Sequence, residues 1–126
     1  MNTAGPKLWK NIHNVALLEY PENPSDDDKT YYMNYYKDFW KVIPCLKCSV
    51  NYRKNWEELP ITSYLESRQS LFEWTVLLHN IVNKELGKKE ISLSEALVIY
   101  KPGTRYIIVI VLFFLLLLMF FLKKIN

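Results

Sequence analysis

Residues 69–88, which read QSLFEWTVLLHNIVNKELGK, give the clearest indication of the fold. Large apolar residues recur in it at steps of three and four, which is the spacing of one face of an α-helix. Gly87 ends the pattern, as expected for the residue just beyond a helix C-terminus. The same spacing and similar breaks occur through the rest of residues 1–105, and no stretch alternates as a strand would. The sequence therefore predicts an all-α bundle, mostly antiparallel because its connections are short.

Proline and serine residues mark where the other helices begin and end. Ser25 is a predicted N-cap, because three aspartates follow it and suit a helix N-terminus. Pro44 is predicted to lie in the first turn of the third helix, where proline is tolerated. Ser92 or Ser94 is expected to cap a short fifth helix. The predicted helices cover about residues 6–19, 25–43, 44–57, 69–86 and 92–100.

The C-terminal part of the chain has the composition of a membrane span. Residues 106–122 carry no charged side chain and would span roughly 25 Å as a helix, enough for a thin bilayer. A core helix is the alternative, but so small a domain cannot enclose a helix that is apolar on every face. We therefore expect a domain over residues 1–101, a hinge over 102–105, a transmembrane anchor over 106–122 and a short basic tail over 123–126.

The position of this span predicts a tail anchor that inserts after translation. The preceding domain is then expected to face the cytosol, on a host membrane or a virion. The formal net charge of the chain is +3, and its basic residues form no stripe that would predict nucleic-acid binding.

The only two cysteines of the chain form the motif Pro44-Cys45-Leu46-Lys47-Cys48. The pair allows three interpretations. It could be a redox-active disulfide, two inert thiols, or half of a structural Cys₂His₂ zinc site with His13 and His79. The last interpretation predicts a tail-anchored interaction protein rather than an enzyme.

Two predicted helices carry flat rings and amides at helical spacing. Trp9 and His13 lie one turn apart on the first helix, and His79 and Asn83 lie one turn apart on the fourth. Turned inward, these groups could hold a flat cofactor with polar edges. A flavin fits this description, and flavin can accept electrons from a dithiol and pass them to oxygen.

Three motifs together resemble a known family. They are Gly5-X₃-Trp9-X₃-His13, the Pro-Cys-X-X-Cys at 44–48, and the ordered series from Trp74 through His79-Asn80-X-X-Asn83 to Gly87-Lys88. Over about residues 5–100 the chain resembles the Erv/ALR-type FAD-linked sulfhydryl oxidases, particularly the minimal versions of large cytoplasmic DNA viruses. The resemblance implies a four-helix bundle with a short fifth helix that binds FAD noncovalently, usually as a homodimer.

The resemblance also implies roles for individual residues. Cys45 would be the outer cysteine that exchanges with substrate thiols, and Cys48 would be the cysteine next to the flavin. No metal is implied. The residues implied to bind the cofactor are Gly5, Trp9, His13, Cys48, His79, Asn80, Asn83, Lys84, Lys88 and Tyr100.

The implied activity is thiol oxidation that forms protein disulfides. Electrons would pass from a substrate dithiol through Cys45–Cys48 to FAD and then to O₂, giving hydrogen peroxide. Many members of the family carry a second, shuttle Cys-X-X-Cys, and this sequence has none. A partner protein, such as a small thioredoxin-like carrier in a viral disulfide-forming pathway, is therefore expected to react directly at Cys45.

Overall fold

The computed structural model describes residues 4–125, and every regular element within them is helical. Helices α1 to α4 form the predicted bundle, and α5 packs against both α1 and α4. The predictions of an all-α bundle and of a short fifth helix are therefore confirmed. The helices are α1 (Ala4–Asn14), α2 (Asp26–Asp38), α3 (Leu46–Glu58), α4 (Arg68–Glu85), α5 (Leu93–Tyr100) and α6 (Thr104–Ile125).

Short turns of other helix types adjust the ends of the main helices. Val15–Glu19 forms a π-helix that continues α1, and the Tyr20 N–H donates to the Val15 carbonyl at 3.0 Å. Phe39–Val42 forms a 3₁₀ turn after α2, and Ile61–Tyr64 forms another between α3 and α4. The predicted single helix from 25 to 43 is therefore an α-helix with a tighter last turn.

The prediction that Pro44 lies in the first turn of α3 is wrong. The helix begins at Leu46, and Cys45 is its N-cap, with an extended backbone at φ −88° and ψ 115°. The Cys45 sulfur accepts a hydrogen bond from the Cys48 N–H at 3.2 Å and so satisfies one of the free donors at the helix start. Pro44 thus precedes the cap, outside the helix.

Serine side chains fix the starts of three helices. Ser25, Ser67 and Ser92 each accept from the backbone N–H three residues on, and each belongs to a reciprocal capping box. The Ser25 cap is confirmed, and Ser92 rather than Ser94 caps α5. Gly87 has φ of 65°, a left-handed conformation that glycine adopts without a Cβ clash, so it closes α4 as predicted.

The core contains several aromatic side chains whose polar atoms bind backbone carbonyls. The Tyr36 hydroxyl donates to the Ile12 carbonyl at 2.9 Å, and the Tyr52 hydroxyl donates to the Tyr36 carbonyl at 2.6 Å. The Trp74 indole N–H donates to the Leu59 carbonyl at 3.0 Å. These bonds join α1, α2, α3 and α4, and they let large rings be buried without leaving a polar group unpaired.

Helix α6 lies outside this core. It begins at Thr104, inside the predicted hinge over 102–105, and runs through the predicted span into the basic tail as far as Ile125. Its segment Tyr106–Ile125 is long and apolar enough to cross a membrane and is exposed along its length. Asn126, the last residue of the predicted tail, lies outside the described residues.

Candidate functional site

The two cysteines form a disulfide at the start of α3. The Cα atoms of Cys45 and Cys48 are 5.2 Å apart. Cys45 is half-buried and Cys48 is exposed. An incoming thiolate can therefore reach the disulfide from solvent, and the helix N-terminus stabilises negative charge that develops on sulfur.

A cluster of four rings lies where α1, α4 and α5 meet. The Trp9 and His79 rings stack in nearly parallel planes, with centroids 4.0 Å apart and an interplanar angle of 7°. The Tyr100 ring packs on the His13 ring with centroids 4.2 Å apart. The predicted residues from three separate helices are thus in contact with each other. Below we call Trp9, His13, His79 and Tyr100 the ring cluster.

The two histidines belong to one hydrogen-bonded chain. Thr75 Oγ1 donates to the Phe72 carbonyl at 2.6 Å and therefore accepts from His13 Nδ1 at 2.9 Å. A neutral His13 then has a bare Nε2, which lies 3.0 Å from His79 Nδ1 and accepts its proton. Assigned in this way, the chain leaves His79 Nε2 as an acceptor for a further donor.

Both imidazoles are neutral near pH 7. Burial lowers the pKa of His13 to about 3, and the neighbouring His79 adds to the effect. Burial also lowers the pKa of His79 to about 4, and the positive charge of Lys88 contributes. The cluster therefore offers flat, uncharged rings with directed hydrogen-bonding atoms rather than a pair of cations.

The two asparagines of α4 have different environments. Asn80 is occupied by the loop after α4: its Nδ2 donates to the Ile91 carbonyl at 2.8 Å, and its Oδ1 accepts from the Ile91 N–H at 2.9 Å. Asn83 is buried, and its side chain takes part in none of the hydrogen bonds described for residues 4–125. Asn80 thus shapes the loop, whereas the Asn83 amide is available to a ligand.

The remaining predicted binding residues lie on α1, on α4 and just after α4. Lys88 is exposed, and its N–H donates to the Asn83 carbonyl at 2.7 Å. The positive charge of Lys88 contributes to the lowered pKa of His79. Lys84 is exposed one turn after Asn80 on α4. A Cβ added at Gly5 would meet nothing within 4 Å, so the structure shows no contact that requires glycine there.

The disulfide and the ring cluster lie on neighbouring helices. Trp56 near the end of α3 contacts Trp74 of α4, with ring centroids 5.7 Å apart. The link between α3 and α4 is short, which is typical of antiparallel neighbours. The contacts described between these two helices, Trp56–Trp74 and the Trp74–Leu59 hydrogen bond, involve the last part of α3 and the first half of α4.

Two contributors to the site were not predicted. Thr75, which fixes the His13 tautomer, lies one turn before His79 on α4, so the same helical spacing that selected His79 could have selected it. The Ile91 backbone, which anchors the loop to Asn80, gave no signal because any residue type presents the same N–H and carbonyl.

The zinc interpretation is not favoured. The cysteines are paired with each other, and a disulfide offers no thiolate ligand. His13 and His79 bind each other. Among residues 4–125, no group of three or more histidine, cysteine or acidic side chains has the arrangement of a metal site.

Comparison with known families and structures gives a consistent result. The sequence profile of the Erv1 / Alr family matches residues 6–101. The yeast Erv1 core crystal structure superposes with a TM-score of 0.73 at 29% identity, over 82% of this chain and 85% of that one.

Viral proteins are among the relatives by sequence. One from Acanthamoeba polyphaga mimivirus, named "Probable FAD-linked sulfhydryl oxidase", is 40% identical over 71% of this chain. An African swine fever virus FAD-linked sulfhydryl oxidase is 32% identical over 77% of this chain. The matches span 62% of the mimivirus protein and 79% of the African swine fever virus protein.

Proposed function

The chain belongs to the Erv1 / Alr family, and from this membership we propose that it is an FAD-dependent thiol oxidase that forms disulfides in protein substrates. One observation carries the proposal: an accessible disulfide lies at the start of α3, and the neighbouring helix α4 contributes His79 to a partly buried, neutral ring cluster. The first feature suits exchange with thiols, and the second suits binding of a flat cofactor.

The first exchange opens the disulfide. A substrate thiolate attacks Cys45, a new bond forms between the two sulfurs, the Cys45–Cys48 bond breaks, and Cys48 leaves as a thiolate. The proton of the substrate thiol passes to solvent. Cys48 is exposed, so the separated thiolate is solvated at the start of α3.

The second exchange releases the product. The other thiolate of the substrate attacks the substrate sulfur of the mixed disulfide, which forms the substrate disulfide and expels Cys45 as a thiolate. The Cys48 N–H, which lies 3.2 Å from the Cys45 sulfur, favours that charge as an N-cap hydrogen bond does. Substrate is oxidised by two electrons, and the Cys45–Cys48 pair is reduced by two.

The residues of the ring cluster fit FAD. Trp9 and Tyr100 offer faces for stacking, His79 Nε2 and the Asn83 amide offer hydrogen-bonding atoms, and Lys88 offers positive charge for phosphate. When bound, FAD supplies the acceptor that takes the electron pair from the dithiol and passes it to O₂, giving hydrogen peroxide. Asn80 acts through the loop that it holds. Gly5 and Lys84 are proposed as further binding residues on the family resemblance alone.

The test is to purify the protein and record its visible spectrum. We expect a flavin spectrum that bleaches under a dithiol without oxygen and returns with air, together with oxygen consumption and peroxide formation in stoichiometric amounts. A colourless, folded protein that consumes no oxygen with a dithiol would overturn the proposal.

We also propose that the substrate is a protein dithiol, such as a small thioredoxin-like carrier in a viral disulfide-forming pathway. The two cysteines of the sequence form a single pair, so exchange with the substrate takes place at that pair. In the Cys48→Ser variant a mixed disulfide at Cys45 cannot be resolved by Cys48. We expect this variant to accumulate a mixed disulfide with one main partner protein.

The oxidase is further proposed to work as a homodimer. A groove of about 700 Å³ between α1 and α2 is lined by Leu8, Tyr31, Tyr35 and Val42 together with polar side chains. A second copy would remove this surface from water. Light scattering should give twice the mass of the chain, and Tyr31→Glu should reduce it to that of one copy.

For α6 we propose the role of a membrane anchor that leaves the oxidase domain on the cytosolic side. The helix is apolar and exposed from Tyr106 to Ile125. The chain has no cysteines beyond the redox pair, and structural disulfides are typical of domains that face oxidising compartments. Resistance to carbonate extraction, with the domain digested by protease added to intact vesicles, is the expected result.

A further inference from the structure

The outer face of the first two turns of α3 carries apolar side chains next to the disulfide. Leu46, which follows Cys45 directly, is 81% exposed, and no large hydrophobic side chain in the described residues is more exposed. Val50 lies one turn further along the same face and is 55% exposed. Apolar side chains of this size are usually buried in a bundle. Here they remain exposed beside the disulfide, where a substrate thiol must approach.

The same surface is positively charged. Residues 39–56 include Lys41, Lys47, Arg53 and Lys54 but no acidic residue. Lys41 pairs with Asp38 at 2.9 Å, and Lys54 pairs with Glu58 at 3.7 Å.

Two of these cations differ from the others. Lys47 lies between the two cysteines, and Arg53 lies over the Trp40 ring at 4.9 Å. Neither takes part in an ion pair among the described residues. The positive end of α3 adds to their field.

We propose that Leu46, Lys47, Val50 and Arg53 form a docking surface for the protein substrate, and that this substrate carries acidic and apolar side chains beside its reactive cysteine. We call these four residues the docking surface. The inference rests on the proposed thiol oxidase function and adds a substrate class to it. Carboxylates of the substrate would face Lys47 and Arg53, while an apolar side chain covers Leu46 and Val50.

Docking of this kind acts before any bond is exchanged. It raises the local concentration of the substrate thiolate at Cys45 and sets its direction of approach, while the exchange itself proceeds as described above. A small dithiol such as dithiothreitol has no side chains to dock. The surface therefore affects protein and peptide substrates and leaves dithiothreitol oxidation unchanged.

The test compares two reduced peptides with the FAD-loaded, full-length protein in detergent. Both carry a Cys-X-X-Cys dithiol with a neighbouring leucine; one has glutamates on either side, and the other has lysines in their place. Oxygen consumption gives kcat/KM for each peptide and for dithiothreitol. The variants are Leu46→Ser and Lys47→Gln, and the matched control is Lys54→Gln, which removes the same charge about 10 Å further along α3.

We expect the wild-type protein to prefer the acidic peptide by about tenfold at low salt, with the preference falling as salt screens the charges. Leu46→Ser should lower kcat/KM for the acidic peptide by about five- to tenfold, the usual effect of truncating a central apolar contact. Lys47→Gln should reduce the preference by up to about fivefold, as expected for one exposed ion pair. Lys54→Gln should leave it in place.

Two results would overturn the docking surface alone. In the first, the wild-type protein oxidises dithiothreitol but shows no preference for the acidic peptide. In the second, the Leu46→Ser and Lys47→Gln variants lose activity toward dithiothreitol to the same extent as toward the peptides. Failure to oxidise dithiothreitol at all would overturn the proposed function, and the docking surface with it.

Discussion

The disulfide and the ring cluster lie on neighbouring helices but differ in almost every physical property. The disulfide is reachable from solvent at the exposed Cys48, and the Cys45 sulfur caps α3 by accepting one hydrogen bond from the Cys48 N–H. The ring cluster is held by stacking and by a chain of hydrogen bonds, and its centre, His13, is fully buried. One part of the site is built for access, and the other is built to stay in place.

This contrast shows how one small bundle can combine two tasks. Thiol exchange requires that a large partner approach a sulfur atom, so the reactive end must protrude from the core. Holding a cofactor requires preorganised groups whose charge state does not change, so those groups must be buried. If this division is correct, the two parts can be disabled independently.

The largest effect is expected from Cys48→Ser. Dithiol oxidation should fall by at least about three orders of magnitude, because a single thiol cannot re-form the exchangeable disulfide. The visible flavin spectrum should be retained, since the ring cluster is unchanged. Oxygen-electrode rates and the absorbance spectrum of the same preparation check both statements. Oxygen consumption at the wild-type rate would disprove the role of the pair.

The converse variant is His79→Ala, which should abolish FAD binding and leave the disulfide intact. It removes the stacking partner of Trp9 and the acceptor at Nε2. Saturating FAD at about 100 times its Kd stabilises a fold by about 2.7 kcal/mol, so the FAD-dependent rise in Tm should disappear. Melting wild-type and variant protein with and without added FAD separates this loss from a loss of intrinsic stability, which would lower both apo values.

Much of this division could be predicted from the sequence. The helical spacing of α4, the Ser25 cap and the terminal Gly87 are local signals, and the structure confirms each of them. The contact between the first and fourth helices could also be expected, because the family resemblance implies that Trp9, His13 and His79 line one site.

Two features of the structure depend on contacts that the sequence does not show. The sequence placed Pro44 inside α3, because proline is compatible with a first helical turn; a cysteine sulfur at the cap instead moved the start to Leu46. The role of Asn80 likewise depends on the Ile91 backbone, which carries no side-chain signature. The Cys45 contact is local and the Asn80 contact spans eleven residues, but in both a side chain meets backbone atoms, which a reading of residue types does not reveal.

The third prediction concerns pH and tests how firmly the ring cluster is buried. Burial lowers the pKa of His13 to about 3 and that of His79 to about 4, against 6.5 for an exposed histidine. Below pH 6.5 the unfolded chain binds protons that the folded chain does not, so the free energy of unfolding falls as pH falls. Between pH 7 and pH 5 the loss should be roughly 2 kcal/mol for His13 and less for the half-buried His79.

The chain contains only two histidines, which makes the measurement specific. Guanidinium unfolding of FAD-free residues 1–103 at pH 7, 6 and 5 should show the slope, and the double variant His13→Phe, His79→Phe should flatten it. The carboxyl groups with lowered pKa, Asp28 and Glu95, titrate below this range. An unchanged slope in the double variant would mean that the imidazoles are not buried in a neutral state.

The smallest effect is expected from Asn55→Leu. This variant tests where, along α3, the redox-active end stops and the structural core begins. Asn55 lies two turns after Cys48 and is fully buried, and its Nδ2 and Oδ1 have no hydrogen-bond partner. Leucine has the same branched shape and removes the cost of burying an unpaired amide, so stability should rise by about 1 kcal/mol. Guanidinium unfolding measures this, and Asn51→Leu, on a half-buried site of the same helix, should change stability by less than about 0.5 kcal/mol.

Dithiol oxidation by Asn55→Leu should stay at the wild-type rate, because the open end of α3 does not depend on this amide. A loss of activity without a loss of stability would instead extend the redox site two turns into the core.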